Sequence, residues 1–341
     1  MATIREIAKL ANTSIGTVSN YLNEPSVVAE STRKRIEEAI EFFDYHPKAA
    51  ARSLKSRFTH RIGLVPLISS EDNRSENPGD NAFLELLAGI NTVAAENKYD
   101  ILLSAATNHA DEMKTYQRLF GEGNVDGIIL QGIQSEDERI LFLKKKKFPF
   151  VAYGQSDLPM QYAYVDIDGG QGIIQAITYL KSLGHSRIAY ITPSKSLMCT
   201  RQRWDGFTQG MAQNGLQIRD EYLIEGDFSE KSGYESTKVF MNLNTPPTAV
   251  LTSNDVCAFG VMRCLKEMNL IPGKDLSVIG FDNVSLSQHW QPQLTTIAQP
   301  FRKIGFLLME SLLDMIHGRE QFPHKLVQPD LIIRESTGPV C

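Results

Sequence analysis

The 341 residues contain only four cysteines, Cys199, Cys257, Cys264 and Cys341, and none are paired at a metal-binding spacing. They read as free thiols in a reducing compartment. No run of about 18 apolar residues occurs, and no basic-then-apolar leader opens the chain. A membrane partner is therefore not expected, and the chain is expected to be cytoplasmic. Catalytic signatures are also missing. Asp168-Gly-Gly-Gln-Gly172 does not supply a dinucleotide fingerprint, and there is no P-loop or nucleophile elbow. The seven histidines include no His-x-x-x-His pair. No catalytic residue, metal site or cofactor is expected, and the chain is not read as an enzyme. Internal repeats and low-complexity tracts are absent too. At 42% hydrophobic and 22% charged, the composition is that of an ordinary soluble protein, long enough for two or three domains.

The most informative stretch is Thr3 to Leu54. Thr3 followed by Glu6 spells a capping box. Ile4, Ile7, Ala8 and Ala11 then recur at the spacing of one buried helical face. Asn12-Thr13-Ser14 breaks that pattern, and Ser14 can cap a second helix. In that helix Val18 and Leu22 face inward, which leaves Ile15, Gly16, Thr17, Ser19 and Asn20 outward. Small hydrogen-bonding residues suit a surface that must approach base edges closely. A third helix is expected from about Ser31 to Asp44, with Thr32, Ile36, Ile40 and Phe43 on its apolar stripe. Three short helices fit a helix-turn-helix unit; an ordinary three-helix end of a larger fold fits equally well on composition alone.

Charge favours the first reading. From Lys48 to Arg61 there are five basic residues, Lys48, Arg52, Lys55, Arg57 and Arg61, and no acidic one. Residues 1–60 carry 9 Lys and Arg against 7 Asp and Glu, a net +2, while the chain totals −5, which leaves −7 on the remainder. A basic head on an acidic body suits a DNA binder whose body is repelled by phosphate. The run from Ala49 to Leu54 could form one or two helical turns, too short to be stable alone in water. It reads as a hinge that folds on DNA, with Leu54 as a minor-groove wedge, or else as a solvated basic linker.

These residues resemble the head of the lactose repressor/galactose repressor family of bacterial transcription regulators. The matching pieces are Thr3–Ala8, Thr17-Val-Ser19, Thr32-Arg33, Tyr45-His-Pro47 and Ala51-Arg-Ser-Leu54. The resemblance implies double-stranded DNA as partner. Thr3, Ser14, Ile15, Gly16, Thr17, Ser19, Asn20, Lys48, Ala51, Arg52, Leu54 and Lys55 fall at its DNA-contacting positions. Ile15, Gly16 and Asn20 occupy its base-reading places. The chain departs from the family at Asn12-Thr13-Ser14, where a Gly-Val-Ser turn is usual, and at Ala29, where Ser usually caps the third helix. Gly16 has no side chain, and the family often has Arg at the Asn20 position.

The rest of the chain alternates strand and helix patterns, which implies right-handed βαβ units and parallel sheets. Strands are expected at 62–68, 99–105, 127–130, 149–153, 164–165, 187–192, 222–224, 249–252, 277–281 and 331–335, and helices at 83–96 and 301–317. This is an α/β fold with two doubly wound sheets, whose ligands bind beyond the carboxyl ends of the strands. The resemblance extends over nearly the whole chain. It implies a two-lobed, periplasmic-binding-protein-like body with three crossings near 162, 291 and 325. The domains are then a head at 1–46, a hinge at 47–60 and an effector-binding and dimerisation body at 61–341. Its first lobe would hold about 61–162 and 292–325, and its second about 163–291 and 326–341.

By the same resemblance, Arg203 is the effector-gripping arginine, Phe228 an aromatic wall, and Asn254, Asp255 and Asp282 further polar contacts. Ser69, Phe83, Tyr153, Tyr164 and Gln299 complete the expected effector site. Planar Arg and carboxylate groups bind vicinal hydroxyls in pairs, and an aromatic face covers a sugar ring, so the expected effector is a saccharide. Asp255 could instead cap the next helix, and Trp204 and Trp290 suit packing or a dimer contact. Sugar-responsive members often have an acidic residue where Gly154 stands. That change and the long polar loop from Ser69 to Asn81 leave room for a di- or oligosaccharide, or else shorten the hydroxyl network. The absence of a C-terminal heptad helix points to a homodimer on a pseudo-palindromic operator. The expected function is repression of a carbohydrate operon, released by the saccharide. A purine-type corepressor remains open as the alternative, as does a glycosidase-like use of Asp255 and Asp282.

Overall fold

The computed structural model describes residues 2–45, 58–66, 81–193 and 197–340. Lys48, Ala51, Arg52, Leu54 and Lys55, and Ser69, lie outside the described residues. The chain divides into two compact units, Met1–Thr59 and His60–Cys341.

The first unit has three helices, α1 (Ile4–Leu10), α2 (Ile15–Asn23) and α3 (Glu30–Phe42). Thr3 donates both its N–H and its hydroxyl to the Glu6 carboxylate, at 2.7 and 2.9 Å, and so fixes the start of α1. Asn12 reverses the chain at φ +48°, a conformation that Asn tolerates better than most residues. Ser14 then caps α2 by accepting from the Thr17 N–H at 3.0 Å. The α3 cap is Ala29, which has no side-chain acceptor. Ile7, Val18 and Ile36, one from each helix, are fully buried in a common core, each contributing roughly 2 kcal/mol by burial. The Tyr21 hydroxyl donates to Glu37 at 2.9 Å and ties α2 to α3.

The second unit contains two six-stranded sheets. Lobe 1 is built on β1 (Arg61–Leu64), β2 (Asp100–Leu103), β3 (Gly127–Leu130), β4 (Phe150–Tyr153), β5 (Ala163–Ile167) and β11 (His324–Val327), in the spatial order β11-β5-β4-β3-β1-β2. Lobe 2 uses β6 (Ile188–Thr192), β7 (Leu223–Glu225), β8 (Ala249–Leu251), β9 (Ser277–Asp282), β10 (Thr295–Ala298) and β12 (Asp330–Ile332), in the order β12-β10-β9-β8-β6-β7. Every ladder is parallel except β10 with β12. Strands such as Gly127–Leu130 and Ile188–Thr192 are buried along their whole length, as expected of sheets covered on both faces.

Helices α4 (Asn81–Glu96), α5 (His109–Gly121), α6 (Glu138–Lys145) and α11 (Phe301–Ile316) belong to lobe 1. Helices α7 (Gly169–Ser182), α8 (Met198–Gln213), α9 (Glu230–Met241) and α10 (Asp255–Glu267) belong to lobe 2. Helices α4 and α11 touch backbone to backbone: a Cβ on Gly89 would stand 2.0 Å from the Arg302 carbonyl oxygen, and one on Gly305 2.1 Å from that of Leu86.

The chain changes lobes after Ile167, after Ala298 and after Val327. Each change falls a few residues later than the sequence suggested. β5 pairs with β4 of lobe 1, and β10 pairs with β9 of lobe 2, rather than opening the other lobe. The cause is directional. The strands run with their carboxyl ends toward the cleft, so the chain completes a strand before it can cross. Two strands lie outside the sequence expectation: β10 follows the crossing expected near 291, and β11 is a short edge strand with Leu326 half exposed.

Candidate functional site

On the head, α2 buries Val18 completely and leaves Ile15 46% exposed, with Ser14, Gly16 and Asn20 also outward. Thr17 and Ser19 are half-buried. The Thr17 hydroxyl lies 2.8 Å from that of Ser14, so part of its bonding capacity is already used in the cap. What the helix offers to solvent is a short, almost uncharged ridge bounded by a cap, the shape that a close approach to base edges requires.

In the body, the candidate site lies at the carboxyl ends of the strands. Arg203, in the second turn of α8, is only 6% exposed. Its guanidinium lies 3.6 Å above the ring centre of Phe281, and Nη1 donates to the Ser253 carbonyl at 2.9 Å. The Ser253 hydroxyl in turn donates to the Asp227 carbonyl, which ties the loops after β8 and β7 together and sets half-buried Phe228 beside them. Asp282 ends β9 at φ +117°, a conformation side chains rarely adopt. It accepts from Gln299 Nε2 at 2.6 Å, and Gln299 Oε1 accepts from the Tyr153 hydroxyl at 2.8 Å. Tyr153 comes from lobe 1 and Asp282 from lobe 2, so this chain of bonds bridges the cleft. Burial raises the Asp282 pKa to about 6, with Arg203 pulling it down. Burial, then the charge of Asp282, holds the Tyr153 phenol well above its ordinary value.

The structure brings Tyr153, Arg203, Asp282 and Gln299 together; Phe228 lies half-buried in the loop after β7, and Phe83 is half-buried in the first turn of α4. Asn254 sits at the carboxyl end of β8, but its Oδ1 caps α10, accepting from the Cys257 N–H at 2.9 Å. The helix cap is therefore Asn254 and not Asp255. Asp255 is fully buried, and its oxygens are occupied by the Val284 N–H at 2.9 Å, the Ser287 hydroxyl at 2.6 Å and the Thr296 hydroxyl. It braces lobe 2 rather than facing the cleft. Tyr164 is the second residue of β5, near the amino end of that strand. It stacks on His324 of β11, with centroids 4.5 Å apart, and so points to the wrong end of the sheet. Gly154 has φ +112°, a conformation glycine adopts without strain.

Two residues outside the sequence expectation, Asp166 and Gln131, join the site. Asp166, near the carboxyl end of β5, is 3% exposed, and its Oδ2 accepts from Gln155 and Gln202, each at 3.1 Å. Burial raises its pKa. A hydrophobic strand ending Val-Asp-Ile was the available signal, masked by the more familiar Asp168 that caps α7. Gln131, just past β3, has a buried Nε2 with no protein partner.

A helix-turn-helix head on one unit and a two-lobed cleft with a convergent Arg, Asp and Gln on the other define a ligand-controlled transcription regulator. Comparison with known proteins agrees. Residues 3–48 match the family of bacterial regulatory proteins, lacI family, and residues 177–337 match a periplasmic binding protein-like domain. The HTH-type transcriptional repressor PurR of Glaesserella parasuis serovar 5 (strain SH0165) is 32% identical, covering 98% of each chain. The lac repressor dimer bound to operator and the anti-inducer ONPF superposes with a TM-score of 0.87 at 26% identity, covering 99% of each chain. A transcriptional regulator CelR–cellobiose complex has a TM-score of 0.75 at 25% identity, covering 98% of this chain and 100% of that one. The chain belongs to the lacI family of bacterial transcription regulators and is not an enzyme. Among the described residues, no helix is long and apolar enough to cross a membrane.

Proposed function

We propose that this regulator represses a carbohydrate uptake or catabolism operon and leaves its operator when a neutral saccharide, of di- or oligosaccharide size, enters the cleft. The observation that carries the reading is the Arg203–Asp282–Gln299 constellation. It combines a fixed guanidinium with a carboxylate and an amide, the groups that grip vicinal hydroxyls in pairs. The surroundings support it. Asp166 and Asp282 set two carboxyl groups against the one guanidinium of Arg203, which disfavours phosphorylated ligands. The Phe281 face is already covered by Arg203, which removes one surface on which a planar purine would stack. The likeness to a cellobiose-bound regulator points the same way.

The molecule would act as a homodimer on a pseudo-palindrome, in keeping with the dimeric, operator-bound relative. Ligand binding selects a closed cleft; the 47–60 hinges of the two subunits move apart, and the heads lose their joint grip. The test is selection of bound duplexes from a random pool, with and without a saccharide panel. One enriched palindrome, lost with one sugar, is the expected result. Enrichment that appears only with a purine base would replace the reading with a corepressor mechanism, and no enrichment would refute it.

A further inference from the structure

The first turn of α8 is attached to the opposite lobe at three places. Leu197, its cap, forms an antiparallel bridge with Gln134 of lobe 1, and the Met198 N–H donates to the Ile133 carbonyl at 3.3 Å. Arg201 Nη1 reaches Asp157 Oδ2 at 3.1 Å and the Ser135 hydroxyl at 3.3 Å. Gln202 donates to buried Asp166 at 3.1 Å. The next residue, Arg203, turns the other way, onto Phe281 and Ser253 of lobe 2. Three consecutive side chains therefore alternate in allegiance: two hold lobe 1, and the third faces the ligand site.

The lobe 1 side is built to be rigid. Arg139 donates to both oxygens of Asp137, to Glu112, and to the carbonyls of Gln131 and Gly132, so both ends of the Gln131–Asp137 loop are fixed to one buried guanidinium. Asp137 also accepts from the Gln134 N–H at 3.1 Å, directly beneath the bridge to Leu197. Asp157 is held in place by the Ser135 hydroxyl and the Glu136 N–H, and these bonds lower its pKa. The loop is a fixed anvil, so any change at this contact must be taken up by α8.

We propose that Arg201 and Gln202 are positioning residues. With Asp157 and Asp166 they form a clasp between the lobes, which sets the start of α8 and hence the location of Arg203. The clasp is a property of the body alone; only its consequence for ligand affinity rests on the reading of Arg203 given above. Because the Arg201–Asp157 pair is half exposed, at 45% and 36%, it should yield to salt, while the Gln202–Asp166 bond should not.

Hydrogen exchange of the full chain, without sugar or DNA, tests the clasp directly through the Met198 amide. In Arg201→Ala combined with Gln202→Ala, exchange of the 197–203 segment should quicken by about tenfold, the loss of one surface ion pair and one hydrogen bond. Protection of β6 and β9 should stay unchanged, which separates the effect from unfolding. Arg201→Lys with Gln202 kept leaves a cation for Asp157 and does not disturb the Ser135 and Glu136 donors, so it should keep at least half of the protection, whereas Arg201→Glu should lose it. Unchanged exchange in the double alanine variant, or equal exchange in Arg201→Lys and Arg201→Glu, would overturn the clasp. Neither result would bear on the proposed sugar ligand.

Discussion

Asp255→Asn offers a quantitative check on how lobe 2 is braced. In the folded protein Asp255 is fully buried, and burial, with the charge of Asp282 second, lifts its pKa to about 7. In the unfolded chain it is near 4. A carboxyl whose folded pKa is raised contributes stability that is complete below the unfolded value and lost as pH rises through the folded one. Between pH 5 and pH 7 that loss is roughly 2–3 kcal/mol, at about 1.4 kcal/mol per pH unit. Asparagine cannot ionise and escapes it. The Val284 N–H and the Ser287 hydroxyl share Oδ2, so an amide oxygen placed there keeps both. The amide nitrogen then faces the Thr296 hydroxyl, which must turn from donating to accepting; losing that short bond to a carboxyl oxygen costs about 1 kcal/mol. The variant should therefore be less stable than the parent at pH 5 and equal or more stable at pH 8. Urea unfolding followed by tryptophan fluorescence is the assay, since Trp204 and Trp290 both pack in lobe 2. Asp282, with a pKa of about 6, shifts both proteins in the same sense, so the difference between them is the quantity to read. A gap of constant size and sign from pH 5 to pH 8 would refute the reasoning.

Ser14→Ala removes the α2 cap and should destabilise the head by about 1 kcal/mol, visible as a lower melting temperature of the head and weaker operator binding in a gel-shift titration. Gly89→Ala places a methyl against the Arg302 carbonyl and should lower the stability of lobe 1 by about 2 kcal/mol or more, measured by urea unfolding; a change under about 0.5 kcal/mol would contradict the close helix contact. Arg203→Lys keeps the charge but loses the planar fork over Phe281. It should weaken saccharide binding at least about tenfold by calorimetry while operator affinity holds. Leu54→Ala should weaken specific DNA binding and leave sugar affinity intact, as expected of a groove wedge.

The local rules were legible wherever one residue decides. Thr3 with Glu6, Ser14 as a cap, and the period of Ile7, Ala8 and Ala11 all stand in the structure as the sequence implies. The sheet strands of lobe 1 and lobe 2 were legible because doubly covered strands are nearly all apolar. What failed was direction and partnership. Tyr164 and Asp166 are two residues apart on β5, yet only the latter lies at the cleft end, and a strand pattern does not say which end that is. Asn254 and Asp255 are neighbours with interchangeable chemistry. The distinction arises from Thr296 and Val284, which come from distant parts of the chain. The crossings fall later than expected for the same reason: a turn in sequence marks the end of an element, not the lobe to which it bonds.

The last two strands have a consequence for synthesis. β11 completes the sheet that began at Arg61, and β12 completes the other, so each lobe waits for residues 324–332 before its edge is closed. The head, by contrast, has the core of its described residues between Ile4 and Tyr45. On a ribosome that releases the chain from its N-terminus, the DNA-reading unit is ready long before the ligand-reading one. Every newly made molecule thus passes through a stage in which it has a reader and no sensor, and a chain cut short ahead of β11 would keep that state.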